Sequence, residues 1–239
     1  MAEQFSENAL GRSLGAVPIG MLDRPKQKWF GGQDLPTGHR LKRGMDLVIA
    51  SLAIVLLSPI MLAVAGLIRC VMGGPVIFAQ QRVGLNGTLF VCYKFRTMRL
   101  NAEDLLVQHL AANPEAAAEW EARRKLMEDP RVGCLGNILR KSSLDELPQL
   151  FNVLRGEMSL VGPRPIVPGE LHCYGAYARE CFKAKPGLTG IWQVSGRNRL
   201  SYSDRVALDR YYARKWSVWL DLAVLTKTIP AVLKIDNTA

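Results

Sequence analysis

Asp145 and Glu146 are adjacent carboxylates within the stretch RKSSLDELPQLFNVLRGEMSLVGPRP, residues 140–165. A basic pair, Arg140 and Lys141, precedes them, and a rigid basic turn, Gly162-Pro163-Arg164-Pro165, follows. Carboxylates framed by arginines suit a metal-assisted reaction on a phosphorylated substrate. An Asp kept ionised is a usable nucleophile, as in enzymes that form aspartyl-phosphates. Glu146, or both carboxylates, suits Mg2+, which takes one or two carboxylates together with substrate phosphates and waters. Prolines on both sides of Arg164 restrict its backbone, and a guanidinium makes bidentate phosphate contacts. A purely structural reading stands beside this one. Ser143-x-x-Glu146 is a capping box, which predicts a helix capped by Ser143 with both carboxylates in its first turn. There the macrodipole favours their ionised forms.

Several elements must hold this pair. Val76 to Gln80 and Thr88 to Phe95 read as strands, joined by a loop containing Asn86-Gly87, a strong hairpin signal. The second strand delivers Lys94 and Arg96 to one face by its period of two. Two cations on one face grip a diphosphate, or equally guard a solvated strand edge. Asn101 to Asp129 reads as helical, with Asn113-Pro114 as a cap and a proline at the first helical position. Glu119 with Arg123 and Glu121 with Lys125, spaced i,i+4, mark a solvated face. Lys185 to Gly190 is a turn-rich loop that matches no nucleotide fingerprint and reads first as an ordinary connection. Ser195-Gly196-Arg197-Asn198 follows it. Val206 to Lys215 reads as helical. In Trp216 to Ile235, Val218, Leu222, Leu225, Ile229 and Val232 share a helical face. Trp216 and Trp219 suit a membrane interface, and packing into the core is the competing reading.

Leu47 to Ile68 runs 22 residues without a charge, long enough to span a bilayer. Ser58-Pro59 sits at its middle. Proline removes a backbone hydrogen bond and kinks the helix, and Ser58 is placed to satisfy part of what is freed. Arg40, Lys42 and Arg43 precede the segment, and Arg69 and Arg82 follow it. The positive-inside rule wants both ends cytoplasmic. Each half is about 11 residues, roughly 16 Å of helix, which reaches mid-bilayer. A re-entrant helix is therefore favoured over a single crossing or a buried hairpin. Residues 1–38 lack periodicity and read as a flexible tail without a signal peptide.

The totals agree. The net charge is +10 and 49% of residues are hydrophobic, which fits a membrane surface and anionic substrates. Nucleic acid accounts for the charge but not for the apolar run, so no nucleic-acid partner is expected. Five cysteines without C-x-x-C and three scattered histidines exclude a disulfide framework and a zinc site.

The order of these motifs resembles the monotopic phosphoglycosyl transferases, bacterial sugar transferases that start glycan assembly on a polyprenyl phosphate. The matching pieces are the apolar segment with Ser58-Pro59, residues 93–98 (YKFRTM), residues 140–150 (RKSSLDELPQL), residues 161–165 (VGPRP), and residues 186–190 (PGLTG) with Trp192-Gln193. The resemblance covers roughly residues 40 to 235. It is nearest to members that initiate succinoglycan-type polysaccharides with galactose-1-phosphate. Only a short tail precedes the core, so the chain looks like the catalytic unit alone.

The resemblance implies a mainly α fold with a small β-hairpin. Residues 39–72 would be a re-entrant membrane helix. Residues 73–239 would form a compact cytoplasmic catalytic domain with interfacial amphipathic helices. It implies a membrane-bound enzyme on the cytoplasmic face of a bacterial inner membrane. Asp145 would attack a UDP-sugar, UDP-galactose or else UDP-glucose, and expel UMP. Undecaprenyl phosphate would then accept the sugar phosphate. Glu146 would coordinate Mg2+. Lys94, Arg140 and Arg164 align with substrate-binding residues, and Arg96 joins them from the strand-face argument. Other partners are membrane lipids, and a homodimer is left open. Two competing hypotheses are a single-span transferase with no covalent step, and a non-catalytic membrane scaffold that recruits anionic partners.

Overall fold

The structure, a computed structural model, describes residues 37–123, 126–196 and 200–233. The expectations for residues 1–36, Lys125, Arg197-Asn198 and Ile235, and for the side chains of Arg123 and Val232, lie outside the described residues. The chain is mainly helical with small sheets. The apolar run forms α1, His39–Met72, of 34 residues. Pro59 lies inside it and frees the carbonyl of Val55, four residues back. Ser58 Oγ donates to that carbonyl at 2.8 Å, the repair expected from the sequence. The helix runs on through the proline as one element. One face packs inward on both sides of Pro59. Ile49, Ala53, Ile54 and Leu57 join one apolar cluster, and Met61, Val64, Ala65 and Ile68 join another. The opposite face, with Leu52, Val55, Leu56 and Leu62, is exposed. By length and composition α1 can cross a membrane, with only 11% of its most apolar window buried.

The hairpin forms as the Asn-Gly signal predicts. β1 (Ile77–Val83) pairs antiparallel with β2 (Leu89–Phe95), in a register that sets Phe78 opposite Lys94. Asn86 and Gly87 both take positive φ, 52° and 73°, as this turn chemistry requires. β1 runs three residues beyond the expected Gln80. The helical stretch after it divides at Asn113 into α2 (Ala102–Ala112) and α3 (Pro114–Arg123). Proline has no N–H to continue the first helix, so it starts the second. α4 (Cys134–Lys141) and α5 (Gln149–Arg155) flank the carboxylate pair.

A second sheet was not legible in the sequence. β3 (Ser159–Val161) pairs parallel with β4 (Gly187–Thr189). The two backbones approach so closely that a Cβ on Gly162 would sit 2.2 Å from the Lys185 carbonyl oxygen. Gly187 and Gly190 of the 185–190 loop press on the backbone of Gly162 in the same way. Short helices α6 (Leu171–Tyr174), α7 (Ala178–Cys181) and α8 (Ile191–Ser195) lead to α9 (Tyr202–Lys215) and α10 (Val218–Leu233). On α10, Leu220, Val224 and Leu225 pack inward while Trp219, Leu222 and Ile229 are exposed. Trp216 is half-buried against the core. Its Nε1 donates to Asp221 at 3.0 Å.

Candidate active site

Asp145 and Glu146 do not sit in the first turn of an α-helix. They lie in a three-residue 3-10 turn, Leu144–Glu146. Ser143 precedes it at φ 57° and its side chain caps nothing. The capping box is therefore absent. A non-glycine residue held at positive φ costs local strain, and here it turns the chain so that Asp145 enters the body. Burial, not a helix dipole, dominates the carboxyl of Asp145. It pushes the group up to about 6, with Lys94 and Arg140 pulling the other way. Glu146 is more open. Burial raises it too, but Lys94, Arg164 and Arg82 outweigh that and hold it below the usual carboxylate range.

Lys94 joins the two. Its Nζ lies 2.6 Å from Glu146 Oε1 and 3.7 Å from Asp145 Oδ2. Its position is fixed by a side chain the sequence did not flag. Asn152, fully buried on α5, accepts from Tyr93 N–H at 3.1 Å and donates to the Val91 carbonyl at 2.6 Å. That clamp locks β2 to α5, and Lys94 is the next residue along. Arg140 arrives by a different route. Gly136 lets α4 rest on the backbone of Thr97, where a Cβ would sit 2.1 Å from the carbonyl oxygen. One turn later Arg140 Nε donates to Thr97 Oγ1 at 3.0 Å.

Arg164 leaves the close β3–β4 crossing between its two prolines. Its backbone N–H reaches Asp209 Oδ2 at 3.4 Å, and its guanidinium lies 5.2 Å from the centre of the Trp192 ring. Arg205 stacks on the same ring at 5.1 Å. Arg82, read from the sequence as a flank of the membrane segment, instead donates to the Pro165 carbonyl at 3.1 Å. Arg82 and Arg164 both act on Glu146. Arg82, Asn152, Arg205 and Asp209 are thus site-building residues that spacing alone did not reveal.

Arg96 is not brought to the carboxylates. It is buried and donates to the Met72 and Gly73 carbonyls, closing the end of α1. It lies just beyond the last residue of β2, where strand alternation no longer dictates its direction.

Among the described residues no group of three or more His, Cys, Asp or Glu side chains is placed to hold a metal. Mg2+ needs fewer, because substrate phosphates and waters complete its shell. Two adjacent carboxylates, one of them 38% exposed at its side chain, fit that requirement.

The same body thus carries one helix long and apolar enough to cross a membrane and a carboxylate pair ringed by cations. Residues 37–235 match the bacterial sugar transferase family, and the chain belongs to it. It is 50% identical over 197 residues to the exopolysaccharide production protein ExoY of Sinorhizobium fredii, covering 82% of this chain and 87% of that one. It is also 50% identical to an undecaprenyl-phosphate galactose phosphotransferase of Salmonella typhimurium, covering 82% of this chain but 41% of that longer one. A UDP-glucose:undecaprenyl-phosphate glucose-1-phosphate transferase of Caulobacter vibrioides is 40% identical, over 82% of this chain and 71% of its own.

Proposed function

We propose that this sugar transferase moves a sugar-1-phosphate from a UDP-sugar to undecaprenyl phosphate, through a covalent intermediate on Asp145. The observation that carries the reading is the Lys94–Asp145–Glu146 cluster ringed by Arg82, Arg140 and Arg164. A carboxylate oxygen of Asp145 attacks the sugar-bearing phosphorus. The phosphoanhydride bond breaks, and UMP leaves with the electron pair. An oxygen of undecaprenyl phosphate then attacks the same phosphorus and returns Asp145 as a carboxylate. Splitting one transfer in two lets a single cationic pocket serve both anionic substrates in turn. Lys94 and Arg140 neutralise charge beside Asp145, and Arg164, braced on Trp192, grips the diphosphate. Glu146 is the residue that would hold Mg2+, which supplies further charge neutralisation on the phosphates when bound.

A re-entrant seat for α1, on the cytoplasmic face of the inner membrane, completes the reading. Both ends of the apolar run are tied to one body. Arg43 donates to the Val153 and Leu154 carbonyls at one end, and Arg96 closes on Met72 and Gly73 at the other. A straight crossing would pull one end away. UDP-galactose is the favoured donor and UDP-glucose the second, and exopolysaccharide synthesis is the setting. The test is steady-state kinetics with a panel of UDP-sugars and undecaprenyl phosphate. Parallel double-reciprocal lines are expected. Intersecting lines would mean a ternary complex with no covalent step. Cysteine labelling before Leu47 and after Arg69 is expected to report the cytoplasm at both ends.

A further inference from the structure

A second cationic recess lies at the first turns of α1, away from the carboxylate pair. It encloses about 460 Å3, and its lining includes Arg40, Lys42, Arg43, Asp46, Leu47 and Lys185. Four cations face one carboxylate, and that carboxylate is already used. Asp46 Oδ1 accepts from Ser159 Oγ and from Leu160 N–H, both at 3.0 Å. Of the cations, only Lys42 has its charge met, by Asp221 at 2.6 Å. Arg43 is spent on neutral carbonyls. Among the described residues neither Arg40 nor Lys185 lies within salt-bridge distance of a carboxylate, though Asp46 is near enough to act on Lys185. Burial lowers the Lys185 ammonium, and so do Arg43 and Lys42, with Asp46 opposing them in part. An anion in the recess would relieve that crowding.

The surroundings say where the anion comes from. Leu47 lines the recess and is exposed, and Leu41 and Val48 on the same turns of α1 are exposed with the outer apolar face of the helix. A phosphate in the recess would have hydrocarbon beside it, which is the layout of a phospholipid. We propose that Arg40, Arg43 and Lys185 form a binding site for the phosphate of an anionic membrane phospholipid, separate from the site of the substrates. Arg43 and Lys185 also border Gly156, the C-cap of α5, where a Cβ would lie 3.3 Å from Arg43 and 3.5 Å from Lys185. The headgroup therefore braces the far end of the helix that follows the Asp145-Glu146 turn. The inference needs α1 to sit in a membrane, but not the covalent chemistry.

The experiment is native mass spectrometry of the full chain in a neutral detergent, with phosphatidylglycerol or phosphatidylcholine added. One phosphatidylglycerol is expected to stay bound at concentrations where phosphatidylcholine does not. The double variant R40Q/K185Q is expected to weaken that retention by about twenty-five-fold, since each cation near a membrane surface strengthens anionic-lipid binding roughly fivefold. Its melting temperature without lipid is expected to stay unchanged. Should Lys185→Gln disturb the fold, Arg40→Gln alone, at an exposed residue, is expected to show about a fivefold loss. Equal retention of both lipids, or retention unaffected by these substitutions, would overturn the proposal. So would inorganic phosphate binding as tightly as phosphatidylglycerol, which would make the recess a site for free anions.

Discussion

Lys42 with Asp221 and Lys94 with Glu146 are lysine–carboxylate pairs closed to the same 2.6 Å, in opposite surroundings. The first is sealed. Its side chains are 6% and 4% exposed, and Asp221 also accepts from Tyr212 at 2.7 Å and from Trp216 at 3.0 Å. The second is open, at 30% and 38% exposure, and Lys94 is shared with a second carboxylate 3.7 Å away. Among the described residues no side chain donates a hydrogen bond to Asp145. A sealed pair with both carboxylate oxygens answered holds elements together, here the base of α1 against α10. An open trio with one underserved carboxylate keeps its charge available to a substrate. Ion-pair distance does not separate these roles. Access and unspent hydrogen-bonding capacity do.

The contrast breaks most sharply on substitution. Asp145→Asn is expected to lower UMP release at least about a thousandfold, the scale of losing a nucleophile. The variant should still fold and still reach the membrane. Lys42→Met should do the reverse. It strands a buried carboxylate and is expected to cost about 3 to 5 kcal/mol of stability in denaturant unfolding. Between these lies Arg96→Ala, which removes a donor to the end of α1. A loss of about 1 to 3 kcal/mol is expected, with the KM for the UDP-sugar unchanged. A raised KM without a stability loss would return Arg96 to the substrate site.

Titration gives the smaller, sharper effects. In the proposed reaction Asp145 attacks as the carboxylate, and burial holds its carboxyl at about 6. UMP release should therefore rise with pH up to about that value and then level. Lys94→Met removes the main pull downward, so the midpoint should move up. For stability the sign is the opposite. A carboxyl raised from 3.8 to about 6 favours the folded state at low pH, and that contribution is lost as pH rises through this window. Asn at this position should remove the loss, leaving the variant more stable than wild type at pH 7 by thermal unfolding.

How far the sequence carried the reading follows from the range of each signal. The carboxylate pair, the hairpin and the Ser58–Val55 repair are local, so spacing and turn chemistry revealed them. Lys94, Arg140 and Arg164 were flagged by type and motif, and the geometry gathers them near the pair. The β3–β4 sheet was hidden because each strand is three residues long and its partner lies far along the chain. Asn152 and Asp209 carry no local signal, since only tertiary contact shows what they clamp. The capping box misled because Ser143-x-x-Glu146 specifies residue types, not the positive φ that Ser143 adopts.

One measurement reaches the central claim most directly. The full chain is incubated with UDP-galactose and Mg2+ in the absence of undecaprenyl phosphate, then digested and weighed. The account predicts a burst of UMP, close to one per protein, and a hexose-phosphate adduct on the peptide carrying Asp145. It also predicts that the adduct is discharged when undecaprenyl phosphate is added. Active protein that releases no UMP and carries no adduct until the lipid is present would contradict it.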